Sequence, residues 1–328
     1  MNIHGKRGLA VLAAAILAVQ MIFASGIMVF SDDTETPIIP ADTGVEINGL
    51  NLVLSGEIGL TFHVYVPRKY RDGTMELKFE NKKDEEPDTM NIAECDRDND
   101  LRYTATYYLS AIELSEPVTL TVYDADGNPL ARKTRSAEDY INQLLDEGGA
   151  TDKEKNIAET LINYGHYAQL ACSEAKGWVI GEDFAETTEI YAPTVDTSVF
   201  DKYEIDWQNP TEALPQFSMS LRLDYKTGIH LYLPLEEKPT VTVNGEAAEV
   251  IEIDRSGNKY EIFIEGINAL NLEDEYEITV NDVTFTLSAF SYCHLAVSYN
   301  TSANTIDAMR ALYEFYQAIV AYNSPEEV

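Results

Sequence analysis

Basic residues are scarce in this chain of 328 residues. It carries 23 Lys and Arg against 56 Asp and Glu, so its formal net charge is −33. Nucleic-acid binding needs basic patches that displace counterions from phosphates, and the composition therefore predicts no nucleic-acid partner. Anionic membrane surfaces would repel the same excess of carboxylates, whose main expected effect is solubility.

Cysteines are also few, and the common catalytic motifs are missing. The three cysteines, Cys95, Cys172 and Cys293, cannot all pair internally, and their spacing fits no zinc or redox motif. Isolated buried thiols are the favoured interpretation, and a bridge between Cys172 and Cys293 is the alternative, since both lie on predicted helices. No GxSxG, HExxH, P-loop or CxxC–His arrangement occurs. We therefore predict no cofactor, no metal and no catalytic residue.

Long apolar runs are missing beyond residue 30. Residues 8–30 are apolar, follow Lys6 and Arg7, and precede two aspartates. This pattern is typical of a segment that enters the export machinery, although its length would also span a bilayer as a helix. We predict that residues 1–31 are a cleaved signal peptide, with a retained anchor as the alternative. The expected location is extracellular or at the cell surface, and residues 8–30 would contact the membrane only if uncleaved.

What the chain does contain is a repeat. The string FHVYVP at 62–67 returns as IHLYLP at 229–234, and further blocks recur in the same order. Strand-like segments at 103–107 and 118–122 match those at 260–264 and 276–280. The pairs Ser136-Ala137 and Ser288-Ala289 each open a helix, and apolar helices at 161–172 and 309–322 close the two copies. A module is therefore predicted to occur twice.

Within each copy, strands precede helices instead of alternating with them. Alternating or β-branched runs predict strands at 45–55, 58–66, 75–80, 101–110, 118–124 and 130–135, and further strands between 217 and 287. Asp126-Gly127 predicts one hairpin turn and residues 256–258 another. This order favours an α+β fold of two tandem modules, each an antiparallel β-sheet or sandwich followed by two helices.

The predicted domain boundaries follow from this organisation. Residues 32–44 form a lead-in, 45–175 module 1, 216–323 module 2 and 324–328 a tail. Residues 176–215 form an acidic linker, which we expect to be partly ordered because it carries several aromatic side chains. Those aromatic residues are Trp178, Phe184, Tyr191, Phe200, Tyr203 and Trp207.

The paired His-x-Tyr strings supply the candidate ligand site. Alternation along the strand places His63 and Tyr65 on the face opposite the apolar stripe, and His230 and Tyr232 repeat the arrangement. A zinc site would need two or more further ligands, and acid–base catalysis would need a partner that perturbs the histidine pKa. An aromatic ligand surface is the remaining functional interpretation. The alternative is an ordinary outward β-face that marks a duplicated strand.

The helix string NYGHYAQ at 163–169 invites a second site. The apolar stripe of this helix includes Ile157, Leu161 and Tyr164, and His166 falls on the opposite side. Copy two can be aligned by matching Tyr164 to Tyr313 or to Tyr316, and neither alignment keeps the histidine. We interpret the tyrosines as packing residues and His166 as a surface residue.

Two acidic stretches resemble calcium loops only superficially. Residues 96–100 lack the glycine that a calcium loop needs, and residues 124–128 are followed by a proline. Both are predicted to be hairpin turns. With 56 acids in the chain, hydrolysis by paired carboxylates stays open, but no pair stands out.

The strings IGLTFHVYVP, VYDADGNPL, SAEDYIN and LINYGHYAQ, between residues 58 and 169, resemble a repeated module of unassigned function. That module occurs in secreted, multi-modular proteins of anaerobic Gram-positive bacteria, beside leucine-rich repeats, immunoglobulin-like domains or carbohydrate-active modules. The resemblance covers most of residues 45–172. Copy two lacks the Asp-Gly hairpin and the Tyr-Gly pair, so its membership rests on the internal repeat. The resemblance implies an extracytoplasmic accessory or surface role without assigned catalytic residues.

The expected function is therefore non-catalytic binding or adhesion outside the cytoplasm. Polysaccharide of the cell envelope or diet is the expected partner, with cell-surface proteins as another possibility. Two other classes stay open. One is an extracellular hydrolase that uses paired carboxylates, and the other is a structural spacer without a ligand.

Overall fold

The structure is a computed structural model that describes eleven ranges of the chain. They are residues 43–53, 58–70, 74–81, 87–99, 102–146, 149–176, 188–205, 217–222, 228–255, 258–299 and 302–324. The predicted signal peptide or anchor, the predicted turn residues Ser256 and Gly257, and the last four residues lie outside them. Within these ranges, none of the helices combines the length and apolar character that a membrane crossing requires.

Module 1 contains eight strands and two helices in its described part. The strands are β1 (Glu46–Val53), β2 (Ile58–Tyr65), β3 (Glu76–Glu80), β4 (Asp88–Asn91), β5 (Asp96–Asn99), β6 (Arg102–Leu109), β7 (Val118–Tyr123) and β8 (Pro129–Arg135). The helices are α1 (Ala137–Asp146) and α2 (Asp152–Lys176). The strands form two antiparallel sheets with the orders β1-β2-β6-β5 and β4-β3-β7-β8.

Module 2 repeats this order element by element. Its strands are β9 (Ser218–Arg222), β10 (Gly228–Leu233), β11 (Val241–Val243), β12 (Glu246–Ala247), β13 (Ile251–Arg255), β14 (Asn258–Glu265), β15 (Tyr276–Val280) and β16 (Val283–Leu287). Its helices are α3 (Ala289–Tyr299) and α4 (Ala303–Asn323). The sheet orders β9-β10-β14-β13 and β12-β11-β15-β16 match those of module 1. The predicted α+β fold of two tandem modules is confirmed, whereas the predicted domain boundaries stay predictions.

The apolar stripes predicted for the His-x-Tyr strands form part of the core. Phe62 and Val64 of β2 are fully buried, as are Ile229 and Leu231 of β10. In module 1 the two sheets meet face to face, because the ring centroids of Phe62 and Phe79 lie 5.9 Å apart across them. Burying such side chains is the main stabilising contribution to this sandwich.

Each helical pair begins at a buried serine, as the sequence predicts. In module 1 the Ser136 hydroxyl accepts a hydrogen bond from the Asp139 amide, and the Asp139 carboxylate accepts one from the Ser136 amide. In module 2, Ser288 and Ser291 exchange the same kind of bonds. These bonds satisfy backbone amides that have no partner within the first turn of a helix, and they fix the residue at which each helix begins.

The two modules meet through their last helices. The rings of Tyr164 on α2 and Phe315 on α4 stack with centroids 5.9 Å apart and an angle of 13° between their planes. The burial patterns of the two helices coincide when Tyr164 matches Phe315 and Leu161 matches Leu312. Both alignments expected from the sequence, which matched Tyr164 to Tyr313 or to Tyr316, are therefore wrong. They assumed that a tyrosine must match a tyrosine, whereas this packing position holds a tyrosine in one helix and a phenylalanine in the other.

Residues 188–205, which we call the connecting segment, run across both helical pairs. The segment contacts module 1 where the Asn142 amide donates a hydrogen bond of 2.9 Å to the Thr188 hydroxyl. It contacts module 2 through Phe200, which is fully buried against the rings of Phe290 and Tyr313. The 3₁₀-helix Thr197–Tyr203 carries this phenylalanine.

One expectation about local structure is wrong. Residues 96–100 were expected to be a hairpin turn, but Asp96–Asn99 form β5, an edge strand paired with β6. The polar side chains of an edge strand face water, so the apolar alternation that identifies a strand is missing. None of the three cysteines makes a disulfide, so the alternative of a bridge between Cys172 and Cys293 is excluded. Cys293 is buried, as the favoured interpretation of isolated buried thiols expects, whereas Cys95 and Cys172 are only partly buried. The turn at 124–128 is confirmed, with the Asp124 carboxylate accepting bonds from the Asp126 and Asn128 amides.

Candidate ligand-binding face

The outer face of the sheet β9-β10-β14-β13 carries the second His-x-Tyr pair. We call it the β10 face, and it is formed by the strand residues that alternate with the buried ones. Its members are Ser220, Arg222, Gly228, His230, Tyr232, Ile251, Lys259, Glu261, Phe263 and Glu265. Register places His230 directly between Ser220 on one side and Phe263 on the other.

Three rings form a row on the β10 face. The His230 ring stacks on Phe263 with centroids 4.3 Å apart, and it lies nearly parallel to Tyr232 at 6.0 Å. The Phe263 ring extends across β10 at Gly228, where an added Cβ would lie 2.4 Å from the ring and 2.6 Å from the Ile264 carbonyl oxygen. Glycine at this position therefore allows the ring to lie against the sheet.

Polar groups border the aromatic row. Nδ1 of His230 forms a hydrogen bond with the Glu261 carboxylate, which holds the imidazole plane in place. The Tyr232 and Ser220 hydroxyls form a hydrogen bond of 3.0 Å. The Arg222 guanidinium lies 5.5 Å from the Phe263 ring centroid, in the range of a cation–π contact. The face thus combines a central row of rings with hydroxyl, guanidinium and carboxylate groups beside it.

Solvent reaches this face unevenly. The side chains of His230 and Glu261 are 18% and 19% exposed, while Tyr232 is buried at 8%. Ile251, which pairs with Glu261 on the neighbouring strand, is 45% exposed and extends the apolar centre. A ligand would therefore contact His230, Phe263 and Ile251, and the tyrosine would support the histidine from beside it.

The first His-x-Tyr pair lies on the equivalent face of module 1, which we call the β2 face. His63 lies opposite Gly49 and Thr104, and Tyr65 lies opposite Arg102. Both predicted residues are half-buried. A Cβ on Gly49 would lie 3.1 Å from the His63 ring, so the imidazole packs closely over the neighbouring strand.

The surroundings of the two pairs differ. The residues opposite His230 and Tyr232 on β14 are Phe263 and Glu261, whereas Thr104 and Arg102 occupy these positions in module 1. The stacked row therefore exists only around the second pair in the described structure. Tyr108, farther along β6 and 42% exposed, gives the β2 face a separate aromatic group.

The four predicted site residues stay predictions, and their surroundings are now defined. His63 and Tyr65 lie side by side on one face, and so do His230 and Tyr232, but the two faces belong to different sheets. Sequence reasoning missed Phe263 and Glu261. A signal was available, because the alternation of the strand at 260–264 puts a phenylalanine on its polar side.

Other reactive side chains do not converge on a site. In the described part of the chain, no group of three or more His, Cys, Asp or Glu side chains is placed to hold a metal ion. Burial raises the pKa of Cys95 to about 12 and raises that of Cys293 as well, so both thiols are protonated at neutral pH. His166 is half-buried and packs edge-on against Tyr167, with ring centroids 5.2 Å apart.

Comparison of the chain with protein-family models, with curated proteins and with solved structures finds no significant match. The expected relationship to modules of secreted bacterial proteins therefore stays a prediction.

Proposed function

We propose that this chain is a non-catalytic polysaccharide-binding protein that works at or outside the cell surface. The observation that carries the proposal is the row of His230, Phe263 and Tyr232 on an outer sheet face, with hydrogen-bonding groups at its rim. The basic and apolar N-terminal sequence supports export. Polysaccharide of the cell envelope or diet is the class of ligand that fits this face.

The chemistry of sugars matches this arrangement. A sugar ring has an apolar face of C–H groups and a rim of hydroxyls. Burying these C–H groups against the apolar row of rings would be favourable. Sugar hydroxyls would donate hydrogen bonds to the Glu261 carboxylate and would donate to or accept from the Ser220 hydroxyl. Because His230 is already held by Glu261 and by its stacked neighbours, little side-chain freedom would be lost on binding.

A glycan array probed with residues 32–328 tests the proposal. We expect binding to at least one class of immobilised polysaccharide, and we expect His230→Ala to weaken it because the central ring of the row is lost. His166→Ala serves as the matched control, since this histidine lies on α2 in the other module. Circular dichroism would verify that both variants are folded.

Two results would contradict the proposal. Release of reducing sugar from a bound polysaccharide would show catalysis, which the alternative of a hydrolase predicts. No binding to any polysaccharide would favour a structural spacer. The spacer has support in the packing of Tyr164 against Phe315, which would hold two modules in a fixed arrangement.

A further inference from the structure

We infer that module 2 is the binding module and that its ligand is an uncharged polysaccharide. This inference rests on the proposed function and names the site and the ligand class within it. The duplication alone would predict two equal sites, one for each His-x-Tyr pair. The surroundings of the two pairs and the charges on the β10 face argue against that expectation.

The two modules differ in the residue that lies beside the histidine. Phe263 supplies the ring nearest to His230, at 4.3 Å between centroids, and Gly228 makes room for it. Thr104 lies at the equivalent position beside His63, where a hydroxyl and a methyl group replace the ring. A continuous aromatic surface needs rings at neighbouring register positions, and among the described residues only the β10 face has such a row around its His-x-Tyr pair.

The two basic residues of the β10 face, Arg222 and Lys259, each have a neighbour within the protein. The Arg222 guanidinium already lies over the Phe263 ring, and Lys259 forms an ion pair with Glu236. Recognition of phosphate, sulfate or uronate groups uses Arg or Lys in bidentate or clustered arrangements, whereas Arg222 and Lys259 lie at opposite ends of the β10 face.

Negative charges are present on the β10 face and are in excess on the whole chain. Glu261 and the exposed Glu265 lie on the β10 face, and the whole chain carries a formal net charge of −33. On the face itself the two glutamates offset the two basic residues, but the excess of carboxylates on the whole chain would repel a polyanion at long range, and this repulsion would grow as salt is lowered. A neutral chain of sugars meets no such barrier and can use both carboxylates as hydrogen-bond acceptors.

Isothermal titration calorimetry with a soluble neutral glucan and with polygalacturonate tests both the assignment of the site to module 2 and the preference for an uncharged ligand. Both ligands would be titrated into residues 32–328 and into three variants. We expect Phe263→Ala to weaken binding of the neutral glucan at least about tenfold, which corresponds to ~1.4 kcal/mol. Thr104→Ala, at the equivalent position of module 1, should change the affinity less than about twofold. Phe263→Tyr keeps the ring and should retain binding, which separates loss of the stacking surface from loss of the fold.

Three results would overturn the inference. One is tighter binding of polygalacturonate than of the neutral glucan. Another is an equal loss of affinity in Thr104→Ala and Phe263→Ala. The third is retention of full affinity in Phe263→Ala. If the glycan array shows binding but one of these results is found, the inference fails and the proposed function stands. If the array shows no binding, the proposed function itself fails.

Discussion

At the scale of single residues, the carboxylates of Glu314 and Glu273 in module 2 hold the connecting segment in place. Oε1 of Glu314 on α4 accepts hydrogen bonds from the Thr194 amide, the Thr194 hydroxyl and the Val195 amide, at 2.6, 3.0 and 3.1 Å. Glu273 accepts bonds from the Tyr316 hydroxyl at 2.7 Å and from the Lys202 ammonium at 2.9 Å. Hydrogen bonds to a charged acceptor are stronger than neutral ones, so these two residues define the path of the segment.

Removing the first carboxylate should loosen the segment. We expect Glu314→Ala to lower the free energy of unfolding by ~1–2 kcal/mol, because three donors lose one charged acceptor while water can reach the exposed Thr194. Urea unfolding followed by circular dichroism would measure the change. The control is Gln317→Ala, an exposed residue on the same helix, with an expected change within ~0.5 kcal/mol. Equal stability of the two variants would contradict the role of Glu314.

The Glu273 carboxylate should make the stability of the protein depend on pH. Hydrogen bonds from Tyr316 and then from Lys202 lower the pKa of Glu273 from 4.5 to about 2. A lowered pKa adds stability that is complete above the unfolded value of 4.5 and is lost as pH falls through the folded value. Glu273→Gln should therefore be less stable than the parent at pH 7 and equal to it near pH 2.

The size of this effect is modest because the Glu273 side chain is 44% exposed. We expect a difference of ~1 kcal/mol or less at pH 7, since solvent screens exposed ion pairs. Urea midpoints of both proteins, measured from pH 7 down to pH 2, would give the difference at each pH. A difference that stays constant across this range would contradict the assignment.

At the scale of elements, the later part of the connecting segment, from Thr194 onward, packs on module 2. Phe200 enters a cluster of rings with centroid distances of 5.9 Å to Phe290 and 5.5 Å to Tyr313. Nε of Arg310 donates a hydrogen bond of 2.7 Å to the Val195 carbonyl, which adds a link from α4. A segment held by a buried ring and by backbone hydrogen bonds contributes to the stability of the module it packs on.

Truncating the buried ring tests this contribution. We expect Phe200→Ala to lower the free energy of unfolding by ~3–5 kcal/mol, because a fully buried phenylalanine leaves a cavity when it is removed. Differential scanning calorimetry or urea unfolding would measure the loss. Tyr299→Ala is the control, since this tyrosine is 79% exposed and its removal should cost less than ~0.5 kcal/mol. Unchanged stability of Phe200→Ala would show that the segment does not pack in solution.

Sequence patterns predicted the elements whose side chains alternate between core and solvent. β2 and β6 were predicted to within one or two residues, because alternate side chains such as Phe62 and Val64 are buried. The edge strands β4 (Asp88–Asn91) and β5 (Asp96–Asn99) were missed. Their pairing depends on backbone hydrogen bonds with a neighbour distant in sequence, and their mostly polar side chains leave no period to read.

The candidate site was predictable only in part for a related reason. Alternation along one strand places His230 and Tyr232 on a shared face. Which residues lie beside them depends on the register between β10 and β14, and that register puts Phe263, far along the chain, next to His230. Sequence spacing does not give this register without knowledge of the intervening hairpins.

At the scale of the whole molecule, the chain is a duplicated module in which the copies have diverged. Equivalent elements occur in the same order and in the same sheets, and the equivalent rings Tyr164 and Phe315 stack on each other. Such contact between equivalent positions resembles the isologous interface of a symmetric dimer. The outer faces do not follow this symmetry, because Phe263 and Thr104 occupy matching positions. Two like modules therefore share a packing scheme but differ in the residues of their outer faces.

Hydrogen exchange followed by mass spectrometry tests the central claim most directly. On saturation of the protein with a soluble neutral polysaccharide, we predict slower exchange in peptides that cover β9, β10 and β14, and unchanged exchange in β2 and β6. Ligand contacts on a sheet face suppress the local opening that exchange requires. Protection of β2 and β6 equal to that of β10 and β14, or no protection of either face by a polysaccharide that binds, would contradict the account.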